Sequence, residues 1–418
     1  MFVCCLLWSA VANSSLFTLH SSFLHAQSFS SYFEDRTLRI DYTFSGDTAR
    51  QDIYVDELSV IPRWYGKRQR LADVPLKGNG QVIVRDAQSD SIIYRHPFST
   101  LFQEWLATDE AKHTRKSFEN VFLVPFPKKP VNITVELYDY HQRVNATMTH
   151  TVDPNDILIR HIGERNVPAY ATLHAAADPS RCIHIAFVAE GYQITELNTY
   201  LDDCRKAIRA LFEHEPFKSL QDRFNIIALL STSIDSGVSV PREGIWKNTV
   251  LGSHFDTFYT ERYLTTLHLK KLHDVLAGTP YEHIIILTNT TTYGGGGIYN
   301  SYNLASAHGP KYEPVVVHEF GHSFGGLGDE YPYGDSEPMY FADTEPWEPN
   351  LTTQHDFHGK WENLIRDGKV GLVEGGGYLS HGVWRGQEDC RMRTNEYPAF
   401  CPVCQQALRR LINFYTEY

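Results

Sequence analysis

The sequence lacks the features that a membrane-spanning or nucleic-acid-binding protein needs. After residue 26, no stretch reaches the about 18 consecutive apolar residues that span a bilayer. The 38 Lys and Arg residues form no basic block and are outnumbered by 50 Asp and Glu residues, so the formal net charge is −12. A surface of this charge repels phosphate groups. We therefore predict neither a membrane span nor a nucleic-acid partner.

Polar tracts that would stay disordered are also missing. The residues are 42% hydrophobic and 21% charged, which is typical of a globular protein. A chain of 418 residues is longer than a single hydrophobic core usually stabilises. We therefore predict two domains.

Residues 1–26 differ from the rest because they contain no acidic residue and begin with a nearly apolar segment. Residues 1–26 end in Leu24-His25-Ala26, which resembles the cleavage site of a signal peptide. The basic residues that usually begin a signal peptide are missing. We predict a signal peptide over 1–26 and a secreted, periplasmic or cell-surface protein. A frayed N-terminal extension is the alternative.

Residues 27–155 have the pattern of an antiparallel β-sandwich. Apolar residues alternate with polar ones at Leu38, Ile40 and Tyr42, and the same alternation returns in residues 131–137. Turn signals rich in Gly and Pro separate these stretches. We predict an N-terminal sandwich domain without a cluster of chemically useful residues.

The pattern changes after residue 161 to strand, helix and strand. Residues 183–189 and 284–287 are continuous apolar runs, which are typical of strands covered on both faces, and residues 194–212 have helical spacing. We therefore predict an α/β domain over 165–418. The predicted fold class is α+β, with two domains.

One motif in this second domain predicts a metal site. In His318-Glu319-Phe320-Gly321-His322 the two histidines lie one helical turn apart, so both imidazoles can reach one ion. Glu319 points about 100 degrees round the helix axis, where its carboxylate can act as a general base. Imidazole and carboxylate ligands with one open position suit a single catalytic Zn²⁺.

The third ligand is expected directly after the helix. Gly325 and Gly326 allow the chain to turn back and present Asp329 or Glu330 to the same ion. Asp329 is favoured because it comes soonest after the turn, and Glu330 stays open.

These motifs resemble those of the zincins. The glycine turn followed by a third ligand resembles the metzincin branch of the zincins. The chain departs from the metzincin pattern, because Gly326 and Asp329 lie one residue later than the glycine and the third ligand of that pattern. The longer string 318–331 is similar to that of the bacterial IgA-type zinc metallopeptidase family. The resemblance extends to residues 235–241, 252–257 and 293–300, and to residues 33–150, which resemble the N-terminal β-sandwich of some members. It implies a metzincin-like zincin catalytic domain.

The resemblance also implies a methionine in a tight turn beneath the zinc. Met392, in Cys390-Arg391-Met392, is the candidate, with Met339 as runner-up, and simple core filling is the alternative.

The cysteines allow two interpretations. Cys390, Cys401 and Cys404 resemble the pattern of archaeal metzincins, in which thiolates hold a further zinc, but three cysteines are one short of four. We therefore favour a disulfide from Cys390 to Cys401 or Cys404. Cys182 and Cys204 are either a second pair or reduced core residues.

Substrate contacts are expected after the four glycines. Gly296, Gly297, Ile298 and Tyr299 resemble the edge strand on which metzincins align an extended peptide. Tyr331 or Tyr397 could donate a hydrogen bond to the oxyanion, although a structural role is favoured for each because the chain has 24 tyrosines.

A calcium ion is a second cofactor hypothesis. Asp235, His254 and Asp256 could bind Ca²⁺ or cap turns, and the sequence does not separate these roles.

We predict a secreted zinc metalloendopeptidase that cleaves protein substrates, and the resemblance suggests immunoglobulin A as one of them. The alternative is a surface protein that binds a host glycoprotein or glycan and keeps a non-catalytic zinc site. The presence of Glu319 argues against this alternative, because a structural site needs no base. A metal-dependent amidase that acts on cell-wall peptides is a further alternative.

Overall fold

The computed structural model describes residues 28–333, 339–356 and 359–417. The predicted signal peptide, 1–26, lies outside the described residues. The chain has a mixed α/β structure with several sheets, few helices and an N-terminal domain. No helix in the described ranges is long and apolar enough to cross a membrane.

Two four-stranded sheets form the N-terminal part. Their strands are β1 (Phe33–Gly46), β2 (Gln51–Pro62), β3 (Gly80–Asp86), β4 (Ile92–Phe98), β5 (Lys116–Pro127), β6 (Val131–Tyr138), β7 (Val144–Val152) and β8 (Arg160–His161). The strand orders are β5-β1-β2-β8 and β4-β3-β6-β7. All pairs are antiparallel except β2 with β8.

The two sheets contact each other through apolar side chains on their inner faces. The ring centroids of Phe98, on β4, and Phe122, on β5, are 4.3 Å apart. Tyr42 is fully buried, and its hydroxyl lies 2.7 Å from Nε2 of His150 on β7. The alternation of buried and exposed residues along β6 follows from the period of two of a strand with one covered face.

A six-stranded mixed sheet forms the centre of the C-terminal part. Its strands are β9 (Tyr170–His174), β10 (Ile183–Glu190), β11 (Phe224–Leu229), β12 (His283–Thr288), β13 (Gly295–Ile298) and β14 (Tyr302–Ser306). Their order is β13-β14-β12-β10-β11-β9. The central strands β10 and β12 are buried along their whole length, as their continuous apolar runs predict.

The remaining elements surround this sheet. A small sheet contains β15 (Leu351–Thr352), β16 (Val373–Gly376) and β17 (Leu379–Arg385). The α-helices are α1 (Phe29–Tyr32), α2 (Leu101–Trp105), α3 (Leu197–Phe212), α4 (Leu269–Leu276), α5 (Tyr312–Ser323), α6 (Glu362–Arg366) and α7 (Pro402–Thr416). Short 3-10 helices cover Asp109–Lys112, Ile194–Glu196, Gln221–Arg223, Pro241–Glu243 and Thr257–Tyr259.

Helix α5 carries the sequence motif and packs against β13, β14 and α3. Three valines and Phe320 bury it in the core of the C-terminal part. Pro314 falls in its first turn, where the missing backbone N–H removes no helical hydrogen bond. The helix is therefore held firmly enough to position its polar side chains.

The N-terminal sheets and the C-terminal part share one hydrophobic cluster. Polar contacts cross the same junction: Arg39 forms a 2.7 Å ion pair with Asp274, and Tyr263 donates a hydrogen bond to Glu104. The N-terminal part is thus packed directly beside the strands that lead to α5. The predicted domain bounds, 27–155 and 165–418, stay predictions.

Candidate functional site

Helix α5 brings His318 and His322 together at its exposed side. Their Nε2 atoms lie 3.0 Å apart, and the two side chains are 13% and 16% exposed. This approach follows from the spacing of four residues, which places side chains one above the other on a helix.

Asp329 completes a triangle of ligand atoms with these histidines. Its Oδ1 lies 3.1 Å from Nε2 of His318 and 3.2 Å from Nε2 of His322. The chain returns to the helix through Gly326, whose φ of +57° is accessible to glycine at little cost. The Glu330 side chain does not join this triangle and instead contacts Cys404.

The other ring nitrogens show that this triangle suits a cation. Nδ1 of His318 lies 3.0 Å from the carbonyl oxygen of Arg391, and Nδ1 of His322 lies 2.6 Å from that of Leu327. A carbonyl oxygen only accepts, so both Nδ1 atoms carry the proton. In neutral imidazoles the Nε2 atoms then present lone pairs, and the Asp329 oxygen adds another. Three acceptors at this distance repel one another unless a proton or a metal cation lies between them.

The pKa shifts of the triangle's residues also indicate a site that suits a cation. Burial alone would raise the pKa of Asp329, but the two histidines outweigh it and hold the pKa well below its usual value. Burial would lower the pKa of His322, yet the Asp329 carboxylate raises it to about 9. The site thus stabilises one positive charge beside an ionised carboxylate, and a metal ion held by neutral imidazoles would supply this charge in place of a proton on His322.

Glu319 lies beside the triangle in a narrow space. Its carboxylate is within 4.8 Å of the imidazole nitrogens of His318 and His322. Burial raises its pKa above the usual value. A β-carbon at Gly297 would come within 2.5 Å of the Glu319 carbonyl oxygen, so β13 approaches α5 this closely only because glycine is present. A raised pKa suits a group that accepts a proton and then returns it.

Met392 lies beneath the helix that bears the histidines. It is fully buried, and its sulfur packs against Gly321. The neighbouring Arg391 supplies the carbonyl oxygen that holds His318. Met339, the runner-up, lines the cleft instead. The role of Met392 in a turn beneath a metal stays a prediction.

The predicted substrate segment lies on β13, at the edge of the six-stranded sheet. Gly296, Gly297 and Tyr299 line the cleft, and Ile298 is buried. Among the described residues, one bridge joins Gly295 to Tyr263 on the outer side of the strand, and the rest of this edge has no strand partner there. Substrate binding by this segment remains a prediction.

A cleft of about 820 Å³ opens in front of these residues. One of its walls comes from the N-terminal part, which supplies Asn79, Gln103 and Glu104. Burial raises the pKa of Glu104 to about 7. The N-terminal part therefore contributes an acid to the cleft, and its sequence pattern did not indicate this contribution. Nothing in the local pattern of α2 indicates the cleft, because the contact depends on how the two parts pack.

A tyrosine far along the chain was missed by the sequence reasoning. Tyr378 donates a hydrogen bond to Oδ2 of Asp329 and has a φ of +67°, a strained conformation for a residue with a side chain. The preceding run of three glycines, residues 375–377, was the available signal. Of the two predicted tyrosines, Tyr331 lines the cleft, whereas the Tyr397 hydroxyl lies 3.0 Å from Gln387.

The calcium candidates have turn-capping contacts. Asp235 accepts a hydrogen bond from the backbone N–H of Asn248 at 2.7 Å, and Asp256 pairs with Arg242. His254 Nδ1 lies 2.6 Å from the carbonyl oxygen of Phe255. In the described ranges, the groups with metal-ligand spacing include none of these three candidates. Their contacts are accounted for by turn-capping.

The predicted disulfide from Cys390 is absent. Cys390, Cys401 and Cys404 are free and buried, and the sulfurs of Cys390 and Cys404 are 3.7 Å apart, whereas a disulfide bond is about 2.05 Å long. Cys182 and Cys204 are also free core residues. The three cysteines instead surround the Glu330 carboxylate, and this buried cluster could hold a metal ion.

Two family models match the chain. A family model described as IgA Peptidase M64 matches residues 171–370 and 366–412. A second model, described as Peptidase M64 N-terminus, matches residues 28–149. A search of curated proteins gives no match.

The two matches define a peptidase with a separate N-terminal domain, so its substrates are proteins or peptides. Because the first model covers more than half of the chain, the chain belongs to the IgA peptidase M64 family. The family predicted from the sequence is confirmed.

Proposed function

We propose that the protein is a zinc-dependent endopeptidase in which His318, His322 and Asp329 hold the metal and Glu319 is the general base. The observation that carries this proposal is the triangle of Nε2, Nε2 and Oδ1 atoms with sides of 3.0, 3.1 and 3.2 Å. Zinc bonds of about 2.0–2.1 Å require ligand atoms about 3.3 Å apart in a tetrahedral site. The triangle needs to widen by only a few tenths of an ångström, about 0.2 Å on average, to meet this value.

The ligand set also supports zinc on chemical grounds. Two neutral imidazoles and one carboxylate suit a borderline Lewis acid, and three protein ligands leave a position open for chemistry. When bound, zinc would polarise the scissile carbonyl and lower the pKa of the attacking water. The glycine turn before Asp329 and the methionine beneath the helix support a metzincin-like zincin fold for this part.

The chain's own residues carry the proton transfers. The Glu319 carboxylate accepts a proton from the water that attacks the peptide carbonyl, and it then returns this proton to the leaving amine. Its half-buried position and raised pKa favour both transfers. Tyr331 lines the cleft, and its hydroxyl is a candidate donor to the oxyanion.

An extended peptide is the substrate shape that the cleft favours. The free part of the β13 edge can pair with the backbone of a substrate, and glycines there allow close approach. We further propose immunoglobulin A as a substrate, on the strength of the family, and a secreted or cell-surface location, on the strength of the composition of residues 1–26.

Removal of the metal tests the proposal directly. We expect a chelator to abolish cleavage of casein, and one added equivalent of Zn²⁺ per vacated site to restore it. Zinc content is measured on the same samples, and mass spectrometry identifies internal cleavage sites. Zinc-loaded protein that cuts neither casein nor immunoglobulin A would refute the endopeptidase. Cleavage of casein alone would refute only the immunoglobulin substrate.

A second prediction concerns the tyrosine that holds Asp329. Tyr378→Phe removes the hydrogen bond to Oδ2 and is expected to weaken zinc binding about 10- to 100-fold, as loss of a partner to a metal ligand usually does. Competition with a chelating dye measures the affinity. Tyr397→Phe is the matched control, because that hydroxyl contacts Gln387 outside the triangle. Equal affinities in both variants would contradict this role.

A further inference from the structure

A second group of side chains that could hold a metal ion lies outside the triangle. Glu330, Cys390, Cys401 and Cys404 each offer a ligand atom, and these four atoms lie within 4.8 Å of one another. None of the four residues is more than 1% exposed. Such a concentration of thiols around one carboxylate is unusual in a protein core, where a buried carboxylate is costly without a positive partner.

The separations match a tetrahedral zinc site. Zinc–sulfur bonds of about 2.3 Å place two thiolate sulfurs about 3.8 Å apart, and a carboxylate oxygen about 3.5 Å from each sulfur. The sulfurs of Cys390 and Cys404 are 3.7 Å apart. Oε1 of Glu330 lies 3.2 Å from the sulfur of Cys404 and 3.9 Å from that of Cys401. These distances fit four ligands around one ion.

The surroundings of Glu330 provide an independent observation. Its Oε1 accepts a hydrogen bond of 2.9 Å from Asn350, but its buried Oε2 has no hydrogen-bond partner among the described residues. In the same part of the chain, no Lys, Arg or His pairs with it, and the guanidinium of Arg385 is held by backbone carbonyls. The carboxylate therefore lacks the cation that its burial requires.

The cysteines are also prepared for a metal. Cys401 is the N-cap of the fifteen-residue helix α7, where the helix dipole favours negative charge. A thiolate is the form that binds metal ions.

We propose that Glu330, Cys390, Cys401 and Cys404 bind a second zinc ion, which has a structural role. Thiolates are soft ligands that select zinc among the common divalent ions, and four protein ligands close the coordination shell to water. The missing fourth cysteine is thus replaced by a glutamate that lies far away in sequence. The inference depends on this cluster alone and not on the proposed peptidase chemistry.

The second ion would fix the residues that shape the first site. Glu330 directly follows Asp329, and its backbone N–H donates a 2.9 Å hydrogen bond to the carbonyl of Met392. Cys390 directly precedes Arg391, whose carbonyl oxygen lies 3.0 Å from Nδ1 of His318. A zinc ion between Glu330 and Cys390 therefore ties together the two segments that orient the triangle.

Zinc counting on the full chain tests the proposal. We expect two zinc ions per chain in the wild type and one in the double variant His318→Ala/His322→Ala. X-ray absorption of the ion that remains is expected to show sulfur neighbours at about 2.3 Å. Because the wild type is measured as well, the test does not depend on the folding of a variant. Wild-type protein whose zinc has no sulfur neighbours, or a double variant that is folded by circular dichroism and carries no zinc, would overturn the proposal.

Substitutions of Glu330 test its place as the fourth ligand. Glu330→Ala is expected to weaken binding of the second ion at least about 10-fold, whereas Glu330→Cys restores four protein ligands and keeps the ion. Chelator competition gives the affinity of each variant. Unchanged affinity in Glu330→Ala, or a disulfide among the three cysteines in peptides mapped without reductant, would contradict the assignment.

Discussion

Replacing Glu319 by glutamine is expected to lower kcat/KM for casein cleavage by about 10²- to 10⁴-fold, the usual contribution of a general base. The amide has nearly the same shape as the carboxylate, so it fits the narrow space beside Gly297, but it cannot accept a proton. Zinc content is expected to stay at the wild-type value. Initial rates and metal analysis of the same preparation measure both quantities.

A matched control variant distinguishes the loss of the general base from the loss of one negative charge on helix α5. Glu313 lies on the same helix and is exposed, so Glu313→Gln is expected to leave the rate unchanged. A wild-type rate for Glu319→Gln would refute the general base. Loss of zinc together with activity would instead identify Glu319 as a ligand, since its carboxylate is within 4.8 Å of the imidazole nitrogens.

Replacing His322 by alanine is expected to remove one zinc ion per chain and to lower casein cleavage by at least about 10³-fold. The reason is that a bound metal contributes several kcal/mol to the stabilisation of the transition state, and each 1.4 kcal/mol changes the rate about tenfold. The remaining ligands, His318 and Asp329, are too few to hold the ion firmly. Metal analysis and initial rates measure the effect.

A histidine away from the site provides the control for this variant. His381 has a side chain that is 87% exposed and pairs with Glu374, so His381→Ala is expected to keep both zinc and activity. Circular dichroism would establish that His322→Ala is folded. A folded His322→Ala protein with full zinc content and a normal rate would exclude His322 as a ligand.

The helix was the part of the site that the sequence could predict best. The spacing of His318 and His322 alone predicts that they share one face of a helix, because an α-helix has 3.6 residues per turn. The buried strands β10 and β12 were predictable for a similar reason, since a continuous apolar run is sufficient to indicate a covered strand.

The two neighbouring acids could not be separated in this way. Asp329 and Glu330 are adjacent in sequence, and either could reach a metal after the turn at Gly326. In the fold, Asp329 faces the histidines and Glu330 faces the cysteines. The choice depends on hydrogen bonds to distant segments, such as that from the Glu330 N–H to the Met392 carbonyl.

The cysteines illustrate the same limit. Counting Cys390, Cys401 and Cys404 gave one ligand too few for a thiolate site and therefore favoured a disulfide. The fourth group, Glu330, lies 60 residues before Cys390, and a glutamate is not counted in a cysteine pattern. Only the packing of the loop against helix α7 brings these side chains to one point.

The sequence by itself determined the family, the N-terminal domain and the helix with its histidine pair, because these depend on motifs and on periods of two or 3.6 residues that act over short distances. The tertiary structure alone decided which acid faces which cluster, that Tyr378 holds Asp329, and that the N-terminal sheets form a wall of the cleft. These features depend on contacts between segments far apart in the chain. Such contacts form only when the whole core packs, and no local pattern encodes them.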